Sequence, residues 1–148
     1  MSLQERITED MKAAMRAKDA PRLGAIRLLL AATKQREVDE RVTLSDAEII
    51  AIIDKMIKQR RDSMVQFEAG KRADLVAAER FEIEVLQAYM PQAMSADEVA
   101  ATIERAITET GAQGMAGMGK VMAVLKPLLA GRADLTQVSA QVKTRLTS

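Results

Sequence analysis

A chain of 148 residues, 48% hydrophobic and 29% charged, has the composition of one ordinary globular domain or two small ones. It has no cysteine and no histidine, which excludes disulfides, thiolate nucleophiles and the commonest zinc ligands and removes the usual general base near neutral pH. The net charge of +1 names no partner, but residues 111–148 carry Lys120, Lys126, Arg132, Lys143 and Arg145 against Asp134 alone.

Helical periodicity covers nearly the whole chain. A first helix is expected from about Leu3 to Ala17. Pro21 suits the first turn of a second, where its missing N–H would be unpaired anyway. That helix places Ile26, Leu29, Leu30 and Thr33 on one face and is broken at Thr43 and Leu44. Ser45 followed by Glu48 is a capping-box signature for a third helix. It carries Ile49, Ile52, Ile53, Met56 and Ile57 on a wide stripe, and Gly70 is expected to close it as a left-handed cap. A fourth helix, from Ala73 to Tyr89, sets Leu75, Ala78, Phe81, Val85, Leu86 and Tyr89 at helical spacing.

Pro91 stops that pattern, and "PQAM" is the best domain boundary in the chain. Ser95 and Glu98 repeat the capping box and open a fifth helix with Val99, Ile103, Ala106 and Ile107, ended by Gly111. A glycine-rich link leads to a sixth helix with Val121, Val124, Leu125 and Leu128 on one face. Pro127 predicts a kink or an end there. A seventh helix starts near Asp134 or Thr136 and buries Leu135, Val138, Val142 and Leu146. No strand signal is present. The fold class is therefore all-α: a four-helix unit over residues 1–90 and a small three-helix unit over 95–148.

Three aromatic residues, Phe67, Phe81 and Tyr89, all lie on apolar helical faces and read as core, so no stacking platform for bases is evident. The rest of the core is aliphatic and includes ten adaptable methionines. No apolar run is long enough to span a membrane and no leader is recognisable, which gives an expectation of a cytoplasmic protein that binds no membrane.

"GMAGMGKV", Gly114 to Val121, fits most of a phosphate-loop pattern. Val121 stands where a magnesium-binding Ser or Thr is needed, and the loop follows a helix rather than a strand, so nucleotide binding is rejected. The glycines instead let the backbone turn between helices, and they are expected to leave N–H groups uncovered at a helix start. Lys126, Lys143 and Arg145 lie towards helix C-termini, where the dipole favours a cation. Lys120 lies in a first turn, where the dipole opposes it. Arg132 lies in a loop, with Asp134 near enough in sequence to neutralise it. Arg60 is expected to cover core surface with its stem and to pair with Glu79, Glu82 or Glu84.

The stretches "IRLLLAATKQRE", "IDKMIKQRRDSMVQFEAGKRADL", "EIEVLQAYMPQAMS" and "MGKVMAVLKPLLAGRAD" run in the order seen in the YqeY family, which the whole chain resembles. The last part of the chain is also similar to the tail of GatB, a subunit of the glutamine-dependent tRNA amidotransferase. Gly119, Val121 and Met122 match that tail's Gly-x-Val-Met, and Gly131, Arg132 and Ala133 match its Gly-Lys/Arg-Ala. The segment between these two matches is longer here by about one helical turn.

The resemblance implies contact with tRNA and an association with carbon–nitrogen ligase activity that uses glutamine as amido donor. No counterpart of GatB's catalytic part is present, so no catalytic residue, metal ligand or cofactor is assigned. The leading expectation is non-catalytic binding of tRNA or another structured RNA, with Lys120, Lys126, Arg132 and Lys143 contacting phosphates. The alternatives are an adaptor whose protein partner docks on residues 1–90, and an accessory factor of amidotransferase activity. The residues specify no oligomeric state.

Overall fold

The computed structural model describes residues 1–148. It is all-helical, with α1 (Leu3–Arg16), α2 (Ala20–Glu40), α3 (Asp46–Ala69), α4 (Ala73–Gln87), α5 (Ala96–Thr110), α6 (Met118–Leu129) and α7 (Leu135–Thr147). A short 3-10 turn, Met115–Gly117, precedes α6. The chain divides into two compact units, Met1–Met90 and Pro91–Ser148.

The first unit packs α1 to α4 around Ile7, Ile26, Leu29, Ile49, Ile53, Ile57 and Leu86. Both halves of the capping box form at the start of α3: the Glu48 N–H donates to Ser45 Oγ and the Ser45 N–H donates to Glu48 Oε1, each at 3.2 Å. The neighbouring Asp46 carboxylate accepts the Leu3 N–H at 3.1 Å, which ties the start of α1 to the start of α3.

Three helix ends in this unit are followed by a left-handed cation, and one of them, the end of α3, departs from the expected glycine cap. Lys18, Arg41 and Lys71 take left-handed backbone with φ of 55°, 55° and 58°. Gly70 does not, with φ of −84°. The Arg72 N–H reaches back to the Phe67 carbonyl at 2.9 Å, so the left-handed position falls one residue beyond the glycine. An L-residue there is strained, but a cation at a helix C-terminus meets the negative end of the dipole.

On α4 the buried side chains are Val76, Ile83, Val85 and Leu86, whereas Ala78 is exposed and Leu75 half-buried. The buried face thus differs from the expected one at Val76 and Ile83, and Glu79 and Glu82 lie beside it, where Arg60 of α3 meets both, as expected. Arg60 Nη1 lies 3.5 Å from Glu79 Oε2, and Nε lies 2.9 Å from Glu82 Oε2. Glu84 takes no part. Burial raises the Glu82 pKa above the ordinary carboxylate range, against the attraction of Arg60 and together with repulsion from Glu79.

The second unit packs α5, α6 and α7 around Val99, Ile103, Ala106, Val121, Leu125, Leu129, Val138 and Val142. Ser95 Oγ accepts the Glu98 N–H at 3.2 Å, giving only the forward half of the second capping box. Pro127 does not end α6, which continues to Leu129. The proline removes one N–H, while Leu125 and Leu129, both fully buried on either side of it, keep the helix seated on the core. Leu128 is 54% exposed, so the buried face is Val121, Leu125 and Leu129 rather than one that includes Leu128. No helix of the chain is long and apolar enough to cross a membrane.

Candidate nucleic-acid interface

The sequence-predicted cations fall on α6, on the loop after it and on α7. Lys120 is exposed in the first turn of α6, and no side chain caps that end of the helix. The turn before it consumes two N–H groups: that of Gly117 donates to Gly114 O at 3.1 Å, and that of Met118 donates to Met115 O. Those two donors are therefore not among the uncovered N–H groups expected at this helix start. Lys126 is exposed in the last turn of the same helix. The two lysines stand about 120° apart around the axis, at about 100° per residue, and point in different directions. Lys143 is exposed on α7. None of the three forms an ion pair.

Arg132 is placed differently. Its Nε donates to the Gln92 carbonyl at 3.0 Å, and its own carbonyl accepts the Met94 N–H at 2.9 Å. Both bonds hold the segment entering α5 against the loop leaving α6, and Arg132 is only half-exposed. Asp134 does not neutralise it. That carboxylate caps α7 by accepting the Thr136 N–H at 2.9 Å.

Arg132 lines one end of a groove of about 240 Å³ between α5 and α6. Val124 and Leu128 form its α6 wall, and Thr102, Arg105 and Glu109 its α5 wall. Lys120, Val124 and Leu128 recur at every fourth residue along one side of α6, a ridge about 12 Å long at 1.5 Å per residue. Lys120 lies one turn before Val124 and does not line the groove, whereas Arg132 does. Arg105, which sequence reasoning missed, supplies a further cation from α5. Its signal was weak, because α5 is otherwise acidic, with Asp97, Glu98, Glu104 and Glu109.

Arg145 is the basic tail residue that is neutralised. Its Nε and Nη2 donate to the two carboxylate oxygens of Glu104 on α5, the second at 2.7 Å. This pairing holds the Glu104 carboxyl below the usual carboxylate range and raises Arg145. Tyr89 is buried, and Phe67 and Phe81 are half-buried, so none of the aromatic rings forms an exposed stacking surface.

These features define the class of the molecule: an all-α protein of two helical bundles. The chain belongs to the YqeY-like protein family, whose model matches residues 4–146. Among curated relatives, it is 38% identical over 106 residues to altered inheritance of mitochondria protein 41, mitochondrial, of Eremothecium gossypii. That match covers 70% of this chain and 58% of the relative. The protein of the same name from Saccharomyces cerevisiae is 40% identical over 84 residues, covering 56% and 45%. That from Kluyveromyces lactis is 36% identical over 107 residues, covering 70% and 57%. The chain thus matches about half the length of these relatives. Their names overturn the cytoplasmic expectation: each is called mitochondrial. That expectation rested on the lack of an apolar span and of a recognisable leader, and neither feature separates one aqueous compartment from another.

Proposed function

We propose that the chain is a non-catalytic RNA-binding protein that holds structured RNA, tRNA foremost, through phosphate contacts on its second unit. One observation supports this most. Lys120 is exposed at the helix end where the dipole opposes a cation, and no carboxylate neutralises it. A phosphate placed there would satisfy both the lysine and the positive end of the helix dipole. Lys126, on a different side of α6, and Lys143 on α7 add further unpaired charges to the same unit. Arg132 and Arg105 add donors in the groove, with Arg132 also serving as a structural clamp. The absence of an exposed aromatic favours backbone contacts over base stacking.

The test is a filter-binding titration of tRNA at several salt concentrations. Mitochondrial tRNA belongs in the set, because the relatives carry that location in their names. Binding should weaken steeply with salt, and Lys120→Ala should reduce the log–log salt slope by about one. Lys120→Ala, Lys126→Ala and Lys143→Ala combined should abolish most binding without loss of helix. A triple variant that binds at full strength with an unchanged slope would refute the site. No binding even at low salt would refute the function.

A further inference from the structure

Helix α2 is apolar on two opposite faces. One, with Ile26, Leu29 and Thr33, is buried in the core of the first unit. The other consists of Gly24, Leu28, Ala31 and Val38, interrupted by Gln35, whose amide donates to Asp39 Oδ1 at 2.9 Å; all five are exposed. Leu28 is 47% and Val38 63% exposed. The spacing of these five is four, three, four, three, the seam repeat of paired helices. An apolar stripe on a solvent face, running nearly the length of a helix, leaves that helix short of a neighbour.

The flanks say which neighbour. Arg27 and Lys34, seven apart, flank one edge of the stripe, Arg41 follows at the left-handed cap beyond the helix, and none of the three forms an ion pair. The other edge carries Ala25, Ala32 and Asp39. A second copy of α2 complements this poorly. Antiparallel pairing sets the two basic rows against each other, and parallel pairing offers them one carboxylate, Asp39. Gly24 adds a separate point. A Cβ built there would meet nothing within 4 Å, so packing inside the chain does not require a glycine mid-helix. Its open surface instead admits the close approach of another backbone.

We propose that the exposed face of α2 docks an amphipathic helix of a partner protein, one with apolar residues at heptad spacing and a row of Asp or Glu beside them. The apolar stripe supplies the buried seam. The basic row selects the acidic edge and fixes the direction of the partner helix.

The probe is a labelled synthetic helix of about 21 residues, three heptads, with Leu in the seam and Glu along the flank. Its control carries Lys in place of Glu. Fluorescence anisotropy with the full chain should show saturable binding of the acidic helix and little of the basic one. Leu28→Glu with Val38→Glu should weaken binding by about tenfold or more, with circular dichroism confirming that the helices persist. Arg27→Glu with Lys34→Glu should reverse the preference towards the basic helix. Equal binding of both helices, or no binding of the acidic one, would overturn the proposal. So would sedimentation showing a dimer of the chain that Leu28→Glu dissolves, which would assign the face to a second copy.

Discussion

The Tyr89 hydroxyl donates to Asp10 Oδ2 at 2.6 Å, joining the segment after α4 to the middle of α1. The Arg6 guanidinium lies 4.9 Å from the centre of the Tyr89 ring and donates from Nη2 to the Ala88 carbonyl at 3.1 Å. Burial, then the bond and charge of Asp10, push the Tyr89 phenol pKa well above its ordinary value. Its folded pKa is raised, so the stability it contributes is complete below pH 10 and is lost as pH rises further. An alkaline absorbance titration of this single tyrosine should show no phenolate until the first unit unfolds. Tyr89→Phe should cost about 1–2 kcal/mol in urea denaturation, because it leaves a carboxylate oxygen without its donor.

Arg60 should behave as the hub of the α3–α4 contact. Arg60→Ala leaves Glu79 and Glu82 facing each other and should cost about 1–3 kcal/mol, measured by thermal melts. The Glu82 pKa is raised in the folded state, so the native protein binds that proton more tightly than the unfolded chain does. The stabilising contribution is present at acid pH and is lost as pH rises through the folded pKa. Glu82→Gln should flatten that part of the stability profile, as read from urea midpoints between pH 4 and 7.

Gly117 should not tolerate a side chain. A Cβ there would stand 2.5 Å from Ala112 Cβ and 3.0 Å from Ala112 Cα. Gly117→Ala should destabilise the second unit by about 1–3 kcal/mol. Pairing it with Ala112→Gly should recover only part of the loss, since the backbone contact remains. Guanidinium melts of the single and double variants, followed by circular dichroism, check this.

Lys71 offers the opposite sign. Its left-handed backbone favours glycine, so Lys71→Gly should raise stability by up to about 1 kcal/mol. Lys71→Val should lower it, because a branched side chain fits that backbone less well. Differential scanning calorimetry of the two variants separates the outcomes.

Positions set by helical repeat were legible in advance. Ile49, Ile53 and Ile57, four apart, are the buried stripe of α3, and Val121 and Leu125 serve α6 in the same way. What escaped depends on partners distant in sequence. Arg132 finds the carbonyl of Gln92, 40 residues earlier, and no side-chain pattern announces a bond to main chain. Leu128 has the hydrophobicity of a core residue but lies on the exposed flank of α6. The short turn at Met115–Gly117 escaped because glycine permits it without requiring it. On α4 the expected face placed Leu75 and Ala78 inwards where Val76 and Ile83 are buried, although the pairing of Arg60 with Glu79 and Glu82 was legible.

All three aromatic side chains, Phe67, Phe81 and Tyr89, belong to the Met1–Met90 unit, and the chain has no tryptophan. Near-ultraviolet light therefore sees one half of the molecule and is blind to the other. Tyrosine emission reports melting of the first bundle alone, while the far-ultraviolet signal sums both. Coincident midpoints would mean that the bundles melt as one cooperative block. Separated midpoints would give each bundle its own melting temperature without a cut or a label.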